Sequence, residues 1–426
     1  MSPIPSHGLF PEPSGLGVSG FEGDSGSPHP PISYGDLQAV LKPDMEWARG
    51  LRVALVHDWL NGMRGGEKVL ELLAELFPAA PIYTLFLERQ KLSPLLASRV
   101  IKESWLGRFP GARRRYRHLL PLMPWAVEGL PLGEYDLIVS TSHCVAHGAR
   151  GGRNTVHISY CHTPMRYIWD KYEDYFGAGK ASLPVRLAMG LLRPWLQRKD
   201  LQFSKRVDGY LSNGVAVAGR IERTYGREAV AVGAPVDLET FRGARLRAQA
   251  EGRARQGPYL VLSALEPYKR IDLCVEAFRR LGPDYPLVVA GSGSLGERLR
   301  REAPDHVTFL GWVADEKLPD LLASSRALVF PADEDFGIVP LEAAAAGVPT
   351  VCYASGGSLE TVVEGVTGTG FLVQNPEEIA QAVERVSRLE FDSLAMEAHA
   401  ARYARPLVSQ RLAREIRRAY ERKRPT

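Results

Sequence analysis

The sequence predicts an α/β protein of two doubly wound parallel units, and three observations lead there. Short apolar runs close in turns and are followed by segments with apolar residues at helical spacing, the alternation that builds parallel sheets. That alternation occurs twice, from Leu51 to the turn GAPVD (233–237) and again from Pro258, with the polar, Arg-rich stretch FRGARLRAQAEGRARQG (241–257) between. A chain of 426 residues also exceeds what one ordinary core organises.

In order, LRVALVHDWL (51–60) reads as a strand, NGMRGGE as a glycine turn and KVLELLAELF as an amphipathic helix. YDLIVSTS, NTVHISYCH and VDGYLSN supply further strands of the first unit. The second unit has strands in PYLVLSAL, PLVVAGSG, HVTFLG, RALVF and PTVCYAS, with helical runs IDLCVEAFRRLG and KLPDLLASS between them. The last run, PLVSQRLAREIRRAYERKRP, is an amphipathic basic helix. The expected division is a disordered Pro/Gly/Ser-rich tail at 1–48, a first unit at 50–240, a second at 241–405, and a final helix at 406–426 packing back on the first.

A 45% hydrophobic and 24% charged composition is that of a globular protein. No uninterrupted apolar run approaches the length of a membrane-spanning helix. The first residues lack the basic-then-apolar layout of a secretory signal. Cys144, Cys161, Cys274 and Cys352 are widely spaced, which suggests neither a zinc site nor a disulfide framework and fits a reducing cytosol. Residues 51–240 hold 26 Lys/Arg against 18 Asp/Glu, so the first unit is expected to meet an acidic partner.

The chemistry concentrates in PADEDFGIVPLEAAAAGVP (331–349), where Glu334 lies in a loop after a strand and Glu342 in the second turn of the helix behind it. Carboxylates so placed can accept hydrogen bonds from sugar hydroxyls, while free N–H groups at the helix start attract anions. SALEPYKRID puts Lys269 and Arg270 past a strand end, where cations would neutralise a phosphate leaving group; the alternative is a solvated surface pair. AGSGSLGE places Gly291, Gly293 and Gly296 in a G-x-G-x-x-G pattern, but the next strand ends at 309–311 without the acid that a dinucleotide's ribose requires. Asp333 and Asp335 mimic an Asp-x-Asp metal pair, a second reading that would bring Mg or Mn.

With YKRID, the GSG turn, FLGWV and GGSLETV (356–362), the stretch resembles the E-x7-E signature of glycosyltransferase family 4, retaining transferases of the GT-B fold. VHDWLNGMRGGEKVL, RRYRHLLPLMP and SYCHTPMRYIWD resemble a bacterial subgroup that assembles surface polysaccharides. The resemblance covers 51 to about 405 and implies two Rossmann-like domains facing across a cleft, with an acceptor-binding first domain and a nucleotide-sugar-binding second. It implies that Glu334 contacts the donor sugar, Glu342 the ribose and Lys269 the diphosphate. Backbone near Phe336, Gly337 and Ile338 would lie over the sugar and diphosphate, and Trp312 and Val313 would border the base. His162 would face the donor sugar, and Gly65–Gly66 form the glycine loop of the first strand. A common family arginine falls on Ala264, and Arg270 stands where it could replace that charge.

The resemblance implies transfer of a hexose, mannose from GDP-mannose, to a polysaccharide or lipid-linked acceptor, with no metal and no cofactor. The other class of function is a catalytically silent nucleotide-sugar-binding or scaffold protein. LPVRLAMGLLRPWLQRKDLQFSKR (183–206) interleaves Leu, Met and Trp195 with Arg186, Arg193, Arg198 and Lys199, and 113–117 adds an arginine cluster. Such a mixture suits peripheral contact with anionic lipid on the inner face of a cell membrane, or equally a packed helix with a solvated basic face. No continuous basic groove with stacking aromatics is evident, so nucleic acid is not expected.

Overall fold

The computed structural model describes residues 44–177 and 180–424. Within them the chain forms two compact units, one built from the residues up to 235 together with those from 407 onward, the other from 236–406.

The first unit holds a seven-stranded parallel sheet of order β3-β2-β1-β4-β5-β6-β7. Its strands are β1 (Val53–His57), β2 (Ile82–Thr84), β3 (Ile101–Glu103), β4 (Leu137–Ser142), β5 (Val156–Cys161), β6 (Gly209–Ser212) and β7 (Ala229–Ala231). β1, β4 and β5 are buried along their whole length, as central strands covered by helices on both faces must be. Chain order runs outward from β1 through β2 to β3, then restarts at β4 and runs the other way. β1 and β4 pair in register, His57 opposite Thr141, so their carboxyl ends part there and leave the crevice where open α/β sheets bind ligands.

The helix Gly65–Leu76 follows from its apolar periodicity, which buries Val69, Leu70, Leu72, Leu73 and Leu76, and from Glu67, whose carboxylate accepts the Arg64 N–H at 3.0 Å. The final helix, Arg405–Lys423, buries Val408, Leu412, Ala413, Ile416 and Ala419 in the same core as Val53, Leu55 and Val69.

The expected tail ends earlier than 48. Residues 1–43 lie outside the described residues, whereas Met45, Trp47 and Ala48 pack on the first core and the Trp47 ring meets Tyr420 at 5.5 Å. A half-buried indole against that helix holds residues 45–48, which the composition had assigned to the tail.

The second unit holds a six-stranded parallel sheet of order β10-β9-β8-β11-β12-β13. Its strands are β8 (Tyr259–Leu262), β9 (Leu287–Ala290), β10 (Val307–Gly311), β11 (Leu328–Phe330), β12 (Thr350–Tyr353) and β13 (Gly368–Phe371). Here the order reverses between β8 and β11. The Arg-rich stretch taken as a connector is instead part of the helix Leu238–Ala250, with Phe241, Ala244, Arg245 and Ala248 buried. Its apolar positions recur at helical spacing behind the arginines, and the buried Arg245 is neutralised by Glu397. The unit therefore begins at 236, ahead of the expected 241.

Leu412→Ala should lower the stability of the first unit by about 2–5 kcal/mol, the usual cost of emptying a fully buried leucine site. Urea denaturation followed by circular dichroism would show it as a lower midpoint; an unchanged midpoint would mean that the last helix does not belong to that core.

Candidate active site

In the second unit the loop after β8 carries Lys269, and the loop after the neighbouring β11 carries Glu334. The two side chains, both largely buried, form a direct ion pair. A third loop fixes this arrangement from below. The Gly357 N–H donates to the Glu334 carbonyl at 2.8 Å. Side chains at 356 and 357 are excluded sterically, since a Cβ on Gly356 would stand 2.4 Å from that carbonyl oxygen and one on Gly357 2.2 Å from the Phe336 Cα. Sequence reading quoted GGSLETV without giving it this role; two adjacent glycines after a strand were the available signal.

The turn between the two glutamates is equally constrained. Phe336 is buried, with its ring edge-on to Tyr403 at 5.4 Å, and its carbonyl accepts the Thr361 hydroxyl at 3.3 Å. Gly337 takes a left-handed conformation, φ +87°, and caps the helix Ile338–Ala345, whose first N–H groups open beside Glu334 in sequence. Glu342 on that helix is buried. Neither glutamate is thus a solvated surface charge.

Arg270 occupies a left-handed conformation, φ 56°, that side chains with a Cβ rarely adopt, and its Nε lies 3.6 Å from Asp272. This backbone costs on the order of 1–3 kcal/mol, a strain that clusters at ligand-binding sites. Gly291 and Gly293 serve close packing within the chain. Cβ atoms there would meet the Ser263 carbonyl at 1.9 Å and the Leu265 carbonyl at 2.5 Å, so the β9 turn lies directly on the loop that leads to Lys269. Trp312 follows β10 and is 74% exposed, while Val313 packs on the unit's core. Both sit on the same carboxyl edge, two strands out from β8.

In the first unit Gly65 and Gly66 begin a helix, and a Cβ on Gly66 would stand 3.3 Å from His162 Nε2 and 3.6 Å from His57 Cε1. The predicted glycine loop and histidine therefore meet. His162 N–H donates to Ser142 O at 2.8 Å, and its buried Nε2 has no hydrogen-bond partner. Burial, aided by the nearby His143 and His57, pulls the His162 pKa down to about 3, so the ring is neutral.

Sequence reasoning missed His57, Asp58, Glu67 and His143, which surround that point. The His57 Nδ1 lies 2.5 Å from the Thr141 hydroxyl and its Nε2 3.8 Å from Glu67 Oε1. Burial alone would raise the Glu67 pKa, but the contact with His57 outweighs it and holds the carboxyl below its ordinary value. Asp58, fully buried, accepts the N–H groups of His143, Cys144, Val145 and Ala146 at 2.7–3.0 Å. The signal was a polar His-Asp pair ending an apolar strand.

Comparison with known proteins identifies this second unit. Residues 246–406 match the family described as "Glycosyl transferases group 1". The second unit is a group 1 glycosyl transferase domain. The chain is 39% identical over 143 residues to the GDP-mannose-dependent alpha-(1-6)-phosphatidylinositol monomannoside mannosyltransferase of Mycolicibacterium smegmatis, covering 29% of this chain and 37% of that protein. It is 35% identical over 139 residues to the O-antigen chain mannosyltransferase B of Escherichia coli, covering 30% and 35%. The chain thus spans little more than a third of the length of these relatives. Among solved structures, a sucrose-phosphate synthase from Thermosynechococcus elongatus superposes with TM-score 0.65 at 18% identity, over 86% of this chain and 98% of that one. Anabaena HepE in complex with UDP-glucose superposes with TM-score 0.57 at 17% identity, over 88% and 98%. Both units of the chain therefore have the GT-B fold. Lys269, Glu334 and Glu342 all lie inside the transferase domain.

Two outcomes are expected. An unfolded histidine titrates near 6.5, so as pH falls toward 3 the unfolded chain gains a proton before folded His162 does. Stability is then full above pH 6.5 and lost below it, and His162→Asn should flatten that slope by up to about 1.4 kcal/mol per pH unit in urea titrations. Arg270→Gly should raise stability by about 1 kcal/mol by relieving the backbone; a loss in thermal denaturation would show that no strain was present.

Proposed function

We propose that the protein is a retaining hexosyltransferase that moves mannose from GDP-mannose to a polysaccharide or lipid-linked acceptor in cell-surface glycan synthesis. The observation that carries the reading is the Lys269–Glu334 pair at the β8/β11 reversal of the transferase domain. Relatives named for GDP-mannose and O-antigen mannosyl transfer support the donor and the product class.

During transfer the sugar ring gains positive charge and the departing diphosphate gains negative charge. Lys269, Arg270 and the N–H groups that begin the helix Ile338–Ala345 would stabilise the diphosphate, Glu334 would hold sugar hydroxyls and Glu342 the ribose. Loss of one such donor typically costs about 2.7–4 kcal/mol, or 100- to 1,000-fold in turnover. Attack from the face of the departing group would preserve the anomeric configuration, with a diphosphate oxygen taking the acceptor proton. Positive side chains at the diphosphate make a metal unnecessary in this scheme. Asp333, the first acid of the metal-like run, instead accepts the Ser355 hydroxyl at 3.1 Å.

A cytoplasmic protein resting on the inner face of the membrane would meet a lipid-linked acceptor. Among the described residues no helix is long and apolar enough to cross a membrane. On the helix Leu183–Ser204, however, Leu183, Leu187 and Leu191 form an apolar stripe at four-residue spacing and are 64%, 62% and 84% exposed. Arg186 and Arg198 on the same helix suit anionic headgroups.

Calorimetric titration with GDP-, UDP- and ADP-sugars, with EDTA present, is expected to show GDP-mannose binding, and donor turnover should fall at least 100-fold in Lys269→Ala. Binding without turnover would favour the silent nucleotide-sugar-binding alternative; activity abolished by EDTA and restored by Mn would overturn the metal-free scheme. Flotation with anionic liposomes at low salt should carry the protein and lose it in Leu187→Glu/Leu191→Glu.

A further inference from the structure

We propose that His143 holds the incoming hydroxyl, that of a sugar, a polyol or water, by accepting its O–H at Nε2 at the β1/β4 reversal of the first unit until that O–H turns to the diphosphate oxygen that takes the proton, with Asp58 as its positioning residue. The inference rests on the transferase reading and assigns the acceptor end of that reaction to a residue outside the predicted site.

The argument starts from topology. Strand order in the first sheet reverses at β1/β4, the kind of switch point beside which open α/β sheets bind ligands, and His143 is the first residue beyond β4. Three histidines gather there, with the His143 ring centroid 6.2 Å from that of His57 and 6.3 Å from that of His162. They are not equivalent. His57 is fully buried between Thr141 and Glu67, and the His162 Nε2 is buried against Gly66. His143 keeps 32% of its side chain exposed, against 1% for His57, and its Nε2 is not, like theirs, a buried atom without a partner.

Its orientation is fixed from the backbone outward. The loop 143–146 wraps the Asp58 carboxylate with four N–H groups, which locks that carboxylate in place. Asp58 Oδ2 then lies 3.2 Å from His143 Nδ1. A carboxylate at that distance favours the tautomer with its proton on Nδ1, which leaves the Nε2 lone pair as a hydrogen-bond acceptor. Trp59 holds the ring edge-on at 4.5 Å. Burial, together with the positive charge of Arg64 and the proximity of His57, lowers the His143 pKa against the raising effect of Asp58 and Glu67, so the lone pair is free at neutral pH. A neutral, oriented imidazole suits a hydroxyl and would discriminate against an anion.

The test compares wild type, His143→Phe and His143→Gln. Phe keeps the aromatic contact with Trp59 and removes the acceptor atom, while Gln keeps a side-chain acceptor. GDP release from GDP-mannose is measured with water alone and with methyl α-mannoside added, alongside GDP affinity by calorimetry and the melting temperature. His143→Phe is expected to lower turnover 10- to 100-fold, the scale of a misplaced reacting group, with GDP affinity unchanged within about twofold and Gln recovering part of the loss. Wild-type turnover should decline only at a pH below the ordinary histidine range, as Nε2 takes a proton, and the Phe variant should lack that limb; the charged and titrating groups around the ring are Asp58, His57, Glu67, Arg64 and His162. Full turnover in the Phe variant, or a parallel loss of GDP affinity and melting temperature, overturns the inference and leaves the transferase reading intact. Wild-type protein that turns over none of the GDP-, UDP- and ADP-sugars overturns both.

Discussion

The contact between the Lys269 ammonium and the Glu334 carboxylate joins residues 65 positions apart, and it exists because β8 and β11 are neighbours in the sheet. Parallel strands carry all their carboxyl ends on one edge, so side chains far apart in sequence converge there without any special local fold. The rest of the second unit's site is built to keep these two loops in place. Gly291 and Gly293 admit the β9 turn against the Lys269 loop, and Gly356 and Gly357 admit the β12 loop beneath Glu334. These glycines act by leaving space for backbone, which explains why a phosphate-loop pattern could be present without a dinucleotide's ribose acid.

The first unit meets the same demand differently. Its counterpart is the buried Asp58 carboxylate, compensated by four N–H groups in place of a cation. A charge satisfied by fixed dipoles needs no mobile partner, so it suits a scaffold, whereas the Lys269–Glu334 pair consists of two flexible side chains that a ligand can separate. One edge therefore holds its buried charge with fixed backbone dipoles, the other with a second side chain.

How much of this was legible in the sequence follows from what each feature depends on. The long apolar strands β1, β4 and β5 and the loop-to-helix setting of Glu334 and Glu342 depend on local pattern, and were readable. β2, β3 and β7, three residues each, are too short to show a period, and the helix Leu238–Ala250 hid its apolar face among arginines. The cluster of His57, Asp58, Glu67 and His143 depends on which strands adjoin. His57 and His143 are 86 positions apart, and nothing in either segment announces the other. His162 was found only through SYCHTP, and its meeting with Gly66 is likewise a product of strand order.

The pre-formed ion pair also shapes how a donor would be bound. Before the donor arrives, Lys269 and Glu334 neutralise each other in a largely buried setting, which spares each the desolvation cost of standing alone. A diphosphate approaching Lys269 would release Glu334, and a sugar hydroxyl donating to Glu334 would compensate that carboxylate in turn. Each part of the donor would thus take over from one member of the ion pair. In the proposed reaction an intact nucleotide sugar would meet both side chains at once. Such binding energy is realised only when both ends of the donor are in place, the condition under which it can act on the bond between them.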